Sequence, residues 1–177
     1  MMACCHGVGM STFQRRTYRN LNEFLTDVRI ILSRRQEIRA LMRDGTIAPA
    51  FRERLMLAVT EVNGCRYCSH AHARAALSTG VSREEIEALA VSMFDGSPPD
   101  EVPALLYAQH WAEANARPEA AARQRVVGHY GEGTVGKIEL ALHMIRVGNL
   151  LGNTFDYLLH RISFGRWGAW GRAAPAP

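Results

Sequence analysis

Along most of this chain the apolar positions recur every three or four residues, the period of an amphipathic helix. Leu21, Phe24, Val28, Ile31 and Leu32 follow one another in this way, and Ile38, Leu41 and Met42 continue the stripe. Asn20 and Glu23 form a capping box that opens this helix, and Gly45 stops it. Pro49 suits a first helical turn, where its missing N–H is no loss. The helix it opens carries Phe51, Leu55, Ala58, Val59 and Val62 and breaks at Asn63-Gly64. The next helix runs from about Cys65 to Thr79-Gly80, with Gly80 as its C-cap. Ser82 and Glu85 make a second capping box, leading through Ile86, Leu89, Ala90 and Met93. After the loop Asp95-Gly96-Ser97-Pro98-Pro99, helices are expected near 101–116, 119–130 and 134–162. The last is the longest, and its Gly148 and Gly152 are positions for a kink or a tight approach. No strand pattern, phosphate loop or internal repeat stands out. The expected fold is all-α: a single-domain helical bundle over 20–163, a flexible lead over 1–19, and a Gly/Trp/Pro-containing tail over 164–177.

Composition adds bounds rather than identity. With 177 residues, 47% hydrophobic and 21% charged, the chain can bury one sizeable core. No unbroken apolar run reaches the length of about eighteen residues that a membrane span needs, so no membrane partner is expected. The net charge of +4 is carried by arginines dispersed among 17 acids, and Lys137 is the only lysine. Apart from Arg15, Arg16 and Arg19 there is no dense basic piece, which reads as a solvated surface and not a nucleic-acid groove. The four cysteines form two close pairs, Cys4–Cys5 and Cys65–Cys68, unlike the spaced framework of a small secreted domain. The first residues lack a basic n-region and a cleavage site, and Met10-Ser11-Thr12 would serve as a start. A reducing cytoplasm is the expected compartment. Trp167 and Trp170 are too apolar to be left in water, and call for a subunit contact or packing on the chain's own core.

Chemistry concentrates between Glu53 and His72. Cys65 and Cys68 are two residues apart, and His72 follows the second thiol at i+4. On a helix opened by Cys65, all three share one face, with an imidazole beside a thiol. A thiolate is the reactive form of cysteine, and its free pKa of roughly 8.5 must be lowered. The helix start after Gly64 offers unpaired N–H groups and the positive end of the helix dipole. His72 can take a proton, and Glu53 on the preceding helix can orient the imidazole. Two thiols so placed can also condense into a disulfide once one is oxidised, to be reset by an external dithiol. Two buried structural thiols, or a zinc site on two cysteines and a histidine, use the same residues. His70 faces elsewhere, so a fourth zinc ligand is not evident, and His110, His129, His143 and His160 read as packing or surface residues.

The pattern Glu-x11-Cys-x2-Cys-x3-His, with the Glu-Val-Asn-Gly-Cys-x-Tyr-Cys run inside it, resembles the alkylhydroperoxidase D-like branch of the carboxymuconolactone decarboxylase superfamily. The resemblance implies an all-α fold, homo-oligomers such as a trimer or a hexamer, and peroxidase or disulfide-reductase activity with no cofactor and no metal. It makes Cys68 the peroxidatic thiol, Cys65 the resolving thiol, and Glu53 with His72 the proton relay. The implied partners are a hydroperoxide substrate and an external dithiol, thioredoxin-like or lipoyl reductant. Some members carry a second histidine between the cysteines, where this chain has Tyr67. Glu61 competes for the carboxylate role, and the Asn63-Gly64 break together with the family spacing favours Glu53. The decarboxylase branch uses no CxxC pair. From another class, a non-catalytic helical oligomer would use the CxxC as a redox sensor or metal clip.

Overall fold

The computed structural model describes residues 13, 15–43, 45, 47–164 and 166–168. Cys4, Cys5, the Met10-Ser11-Thr12 start and Trp170 lie outside the described residues. Eight helices and no strand are found among the described residues. In chain order they are α1 (Leu21–Ser33), α2 (Arg35–Leu41), α3 (Pro49–Asn63), α4 (Arg66–Ser78), α5 (Arg83–Leu89), α6 (Val102–Glu113), α7 (Ala120–Tyr130) and α8 (Glu132–Ile162). The expected all-α class is found. Both N-caps form, since Glu23 N–H donates to the Asn20 side chain and Glu85 N–H to the Ser82 hydroxyl, while the Glu23 carboxylate accepts Arg19 N–H and that of Glu85 accepts Arg54.

Several helix boundaries depart from the periodicity, among them that of α2, which ends at Leu41 and not at Gly45. The first stripe breaks at Arg34 into α1 and α2. Arg34 N–H still reaches the Ile30 carbonyl, and Ile38 N–H reaches Arg34, so the apolar register passes through the break unaltered. The helices expected to reach Met93 and Ala116 stop earlier, at Leu89 and Glu113. Each ends in a Schellman motif: Met93 N–H donates to Ala88 and Ala116 N–H to Trp111. The left-handed residues there are Ser92 and Asn115, not glycine, so neither stop carries the usual signal.

The interior is arranged around α3, which packs against α4, α5, α6 and α8. Leu55, Ala58 and Val59 of α3 meet a core that includes Leu89, Leu105, Ala108, Trp111, Ile138 and Leu142. Because α3 is enclosed, its polar residues are buried too and must find partners inside. Arg54 does so with Glu85 at 2.6 Å and Glu101 at 3.1 Å. Helix α8 runs unbroken past Gly148 and Gly152, so these glycines do not interrupt it. No helix among the described residues is long and apolar enough to cross a membrane.

Candidate active site

Helix α3 ends at Asn63, and Gly64 takes the left-handed conformation, φ 71°, that turns the chain into α4. Asparagines hold this turn against α8. Asn63 Nδ2 donates to Asn149 Oδ1 at 3.1 Å, and Asn149 Nδ2 donates to Thr60 Oγ1 at 3.1 Å. Asn153 Nδ2 reaches the Asn63 carbonyl at 2.8 Å. The turn therefore sits in a fixed place when the chain enters α4.

Cys65 is the N-cap of α4, and its sulfur accepts the Cys68 backbone N–H at 3.4 Å. The two sulfurs lie 3.0 Å apart as free thiols. A disulfide bond is about 2.05 Å long, so closing one requires roughly an ångström of movement. Cys65 is wholly enclosed, while Cys68 is partly open to solvent. The two thiols are also electrostatically unequal. Cys65 is drawn down to about 7 by the hydrogen bond from Cys68, against the opposing effect of burial, and by the N–H groups of Cys68 and Tyr67 and the charge of Arg15. Cys68 is pushed up, because its proton is engaged by Cys65, because it is partly buried, and because a second charge would adjoin the first. Asn149 acts the other way on Cys68, as a donor to its sulfur.

One helical turn after Cys68, His72 Nδ1 lies 2.7 Å from Glu53 Oε2. With Nδ1–H donated to the carboxylate, Nε2 is the nitrogen left to accept a proton. Glu53 is only 6% exposed, and its other oxygen receives Arg52 Nε at 3.4 Å. The four residues singled out in the sequence thus form two contacting pairs on adjoining helices, and the carboxylate on His72 is that of Glu53. Tyr67, between the cysteines, turns its hydroxyl to Asp156 at 2.9 Å.

Helix α8 closes the site from the other side. A Cβ at Gly152 would stand 3.1 Å from Cys65 Sγ, and one at Gly148 would stand 3.7 Å from Cys68 Sγ. The glycines let the α8 backbone lie against the sulfurs. Arg146, Asn149, Asn153, Asp156 and His160 are all buried on α8, at helical spacing. The sequence reading did not single out this polar stripe, although polar residues repeating every three or four positions beside leucines were a usable signal. Asp156 receives Arg15 at 2.5 Å and Arg66 at 3.0 Å.

A separate cavity of about 290 Å³ lies between α1, the 115–117 turn and α8, lined among others by Arg19, Glu23, Asp27, Asn115, His143 and Arg146. Arg146 spends its donors there on Asp27 at 2.9 Å, Glu23 at 2.7 Å and Asn115 at 2.8 Å. Among the described residues, no three His, Cys, Asp or Glu side chains are grouped to hold a metal ion.

Residues 33–114 match the family model described as the carboxymuconolactone decarboxylase family. The match takes in α2 to α6 and the whole of Glu53 to His72, and leaves α8 and the N-terminal segment outside. The match is thus to the superfamily that the motif resembles, over the part of the chain that holds the thiols. Searches of curated proteins and of solved structures returned no match.

Proposed function

We propose that this chain is a CxxC-dependent thiol peroxidase or disulfide reductase of the alkylhydroperoxidase D-like kind. The observation that carries the reading is the 3.0 Å approach of the two sulfurs one turn before a histidine held by Glu53. Cys68 is the attacking thiol, because it is the one that solvent reaches, and Cys65 is the enclosed partner. His72 Nε2 takes one proton from the pair, the remaining proton is held by Cys65 across the 3.0 Å contact so that the charge lies on Cys68, and Glu53 stabilises the imidazolium. The Cys68 thiolate attacks the outer oxygen of a hydroperoxide, the O–O bond breaks, and the departing alkoxide takes the proton from His72 to leave as an alcohol. Cys65 then passes its proton to His72 and attacks the Cys68 sulfenic sulfur. The S–S bond forms, the S–O bond breaks, and the departing hydroxide takes that proton from His72 to leave as water. An external dithiol, thioredoxin-like or lipoyl, restores the pair by exchange and is itself oxidised to a disulfide.

This reading places the chain in a reducing compartment such as the cytoplasm, where the pair is returned to thiols after each turnover. The test is thiol oxidation driven by a hydroperoxide, followed in variants. Cys68→Ser is expected to abolish it. Cys65→Ser is expected to stop at a sulfenic acid on Cys68, detected by a dimedone adduct. Full turnover in Cys68→Ser would overturn the proposal. Stoichiometric zinc with no change in free thiols on peroxide treatment would favour the metal clip instead.

A further inference from the structure

We propose that the segment preceding α1 is part of the redox site, with Arg15 as a positioning residue that stabilises the reduced Cys65–Cys68 pair and makes its disulfide easier to reduce. The inference rests on the reading above that these thiols form a reversible disulfide. Residues 15–18 run as a strap over the start of α4. Arg16 N–H donates to the Asn63 carbonyl at 3.2 Å, the Arg16 carbonyl accepts Asn153 Nδ2 at 2.8 Å, and Tyr18 N–H donates to Thr154 Oγ1 at 3.1 Å. Just ahead of these anchors the Arg15 stem lies over Gly64, so closely that a Cβ at Gly64 would meet Arg15 Cγ at 3.1 Å. Its guanidinium is seated on Asp156 and also donates to the Gly168 carbonyl.

The Arg15 side chain is only 6% exposed and that of Asp156 is fully enclosed, so this is a built site. The charged and titratable groups around the Cys65 sulfur are Cys68 on α4, Arg15 on the strap, and beyond them Tyr67 and Arg66 of α4 with Asp156 of α8. Two arginines share one carboxylate, Arg15 on one oxygen of Asp156 and Arg66 on the other, which leaves the cluster one positive charge in excess. A positive charge beside a sulfur favours its thiolate, and Arg15 acts on Cys65 in that direction. The disulfide has no charge to stabilise, so the benefit falls on the reduced state alone. Neither Arg15 nor Asp156 lies in the span that matches the family model.

The experiment equilibrates the full chain with the dithiothreitol couple and counts disulfide by mass shift after alkylation. Each disulfide reduced takes two electrons from one dithiothreitol, which closes to its cyclic disulfide, and Cys68 gains a proton. It compares the wild type, Arg15→Ala and Arg15→Lys, at about pH 8 and about pH 5.5, on either side of the Cys65 value of about 7. At the higher pH, Arg15→Ala is expected to lower the equilibrium constant for reduction by roughly two- to threefold, tenfold being about 30 mV for this two-electron couple. Arg15→Lys, which keeps the charge, is expected to fall between the two and nearer the wild type. At the lower pH the three should coincide, since Cys65 then carries its proton in all of them. The inference is overturned if Arg15→Ala matches the wild type at the higher pH, if the shift is equal at both pH values, or if lysine fails as alanine does. A wild type that forms no disulfide at all overturns the redox reading along with it.

Discussion

At the scale of single residues, the two thiols differ by their place on one helix. Cys65 stands at the N-cap, where backbone N–H groups point at its sulfur, and Cys68 sits inside the first turn. The first proton to leave the pair therefore leaves from Cys65. This has a consequence for folding. The unfolded chain holds the Cys65 proton up to its ordinary value of 9.0, while the folded chain gives it up at about 7. The lowered Cys65 thus contributes stability that grows as pH rises between the two values and is lost as pH falls through the lower one, while above the higher value the raised Cys68 thiol works against it. Urea midpoints of the reduced protein should rise between these two pH values relative to those of Cys65→Ser. Parallel curves for the two proteins would show that the thiol is not depressed. Glu53 belongs to the same scale: flanked by Arg52 and Arg54, it looks like a surface ion pair, and only the fold turns it inward onto His72 while Arg54 goes to Glu85 and Glu101.

At the scale of elements, the site depends on how closely α8 approaches the start of α4. Gly152 is the tight point, with room for no side chain before Cys65 Sγ and the Tyr67 ring are met. Gly152→Val is expected to destabilise the protein by about 1–3 kcal/mol, the usual cost of overpacking. Gly148→Ala, whose added carbon would sit at an ordinary contact distance of 3.7 Å from Cys68 Sγ, should be tolerated in stability. Thermal or urea unfolding of both variants checks this; equal losses would mean that the glycines serve something other than close packing. Helix existence was legible from period and caps, as at Asn20, Ser82 and Pro49. Helix ends were legible where glycine marks them, at Gly64 and Gly80, and not where Ser92 or Asn115 takes the left-handed position. A helix C-terminus is set by backbone geometry, and side-chain preference only biases it.

For the whole molecule, the apolar surface is the unfinished part. In α1 the buried residue is Asp27, which pairs with Arg146, while Leu21, Leu25 and Leu32 face outward. On α8, Leu151, Phe155, Leu158 and Ile162 form an exposed stripe at helical spacing, and Trp167 is exposed after it. Stripes of this size on two packed helices are the kind of surface that another subunit covers. A homo-oligomer of the kind the resemblance implies, a trimer or hexamer, would use this face. Light scattering at micromolar concentration should give an assembly for the wild type and a smaller species for Phe155→Asp combined with Leu158→Asp. A monomeric wild type, or a double variant that assembles as the wild type does, would count against that use of the face.

The amino-acid sequence by itself determined the all-helical class, most helix starts, and the shared face of Cys65, Cys68 and His72, whereas the turn of Glu53 onto His72 belongs to the fold. These are matters of short-range periodicity, capping and spacing, which neighbouring residues settle among themselves. Only the tertiary structure decided what surrounds that constellation: the glycines of α8 against the sulfurs, the asparagines that pin the turn, and Arg15 on Asp156, 141 positions away in the chain. Contacts between such distant residues depend on how whole helices pack. A buried polar residue has no local signature that distinguishes it from a solvated one until its partner arrives.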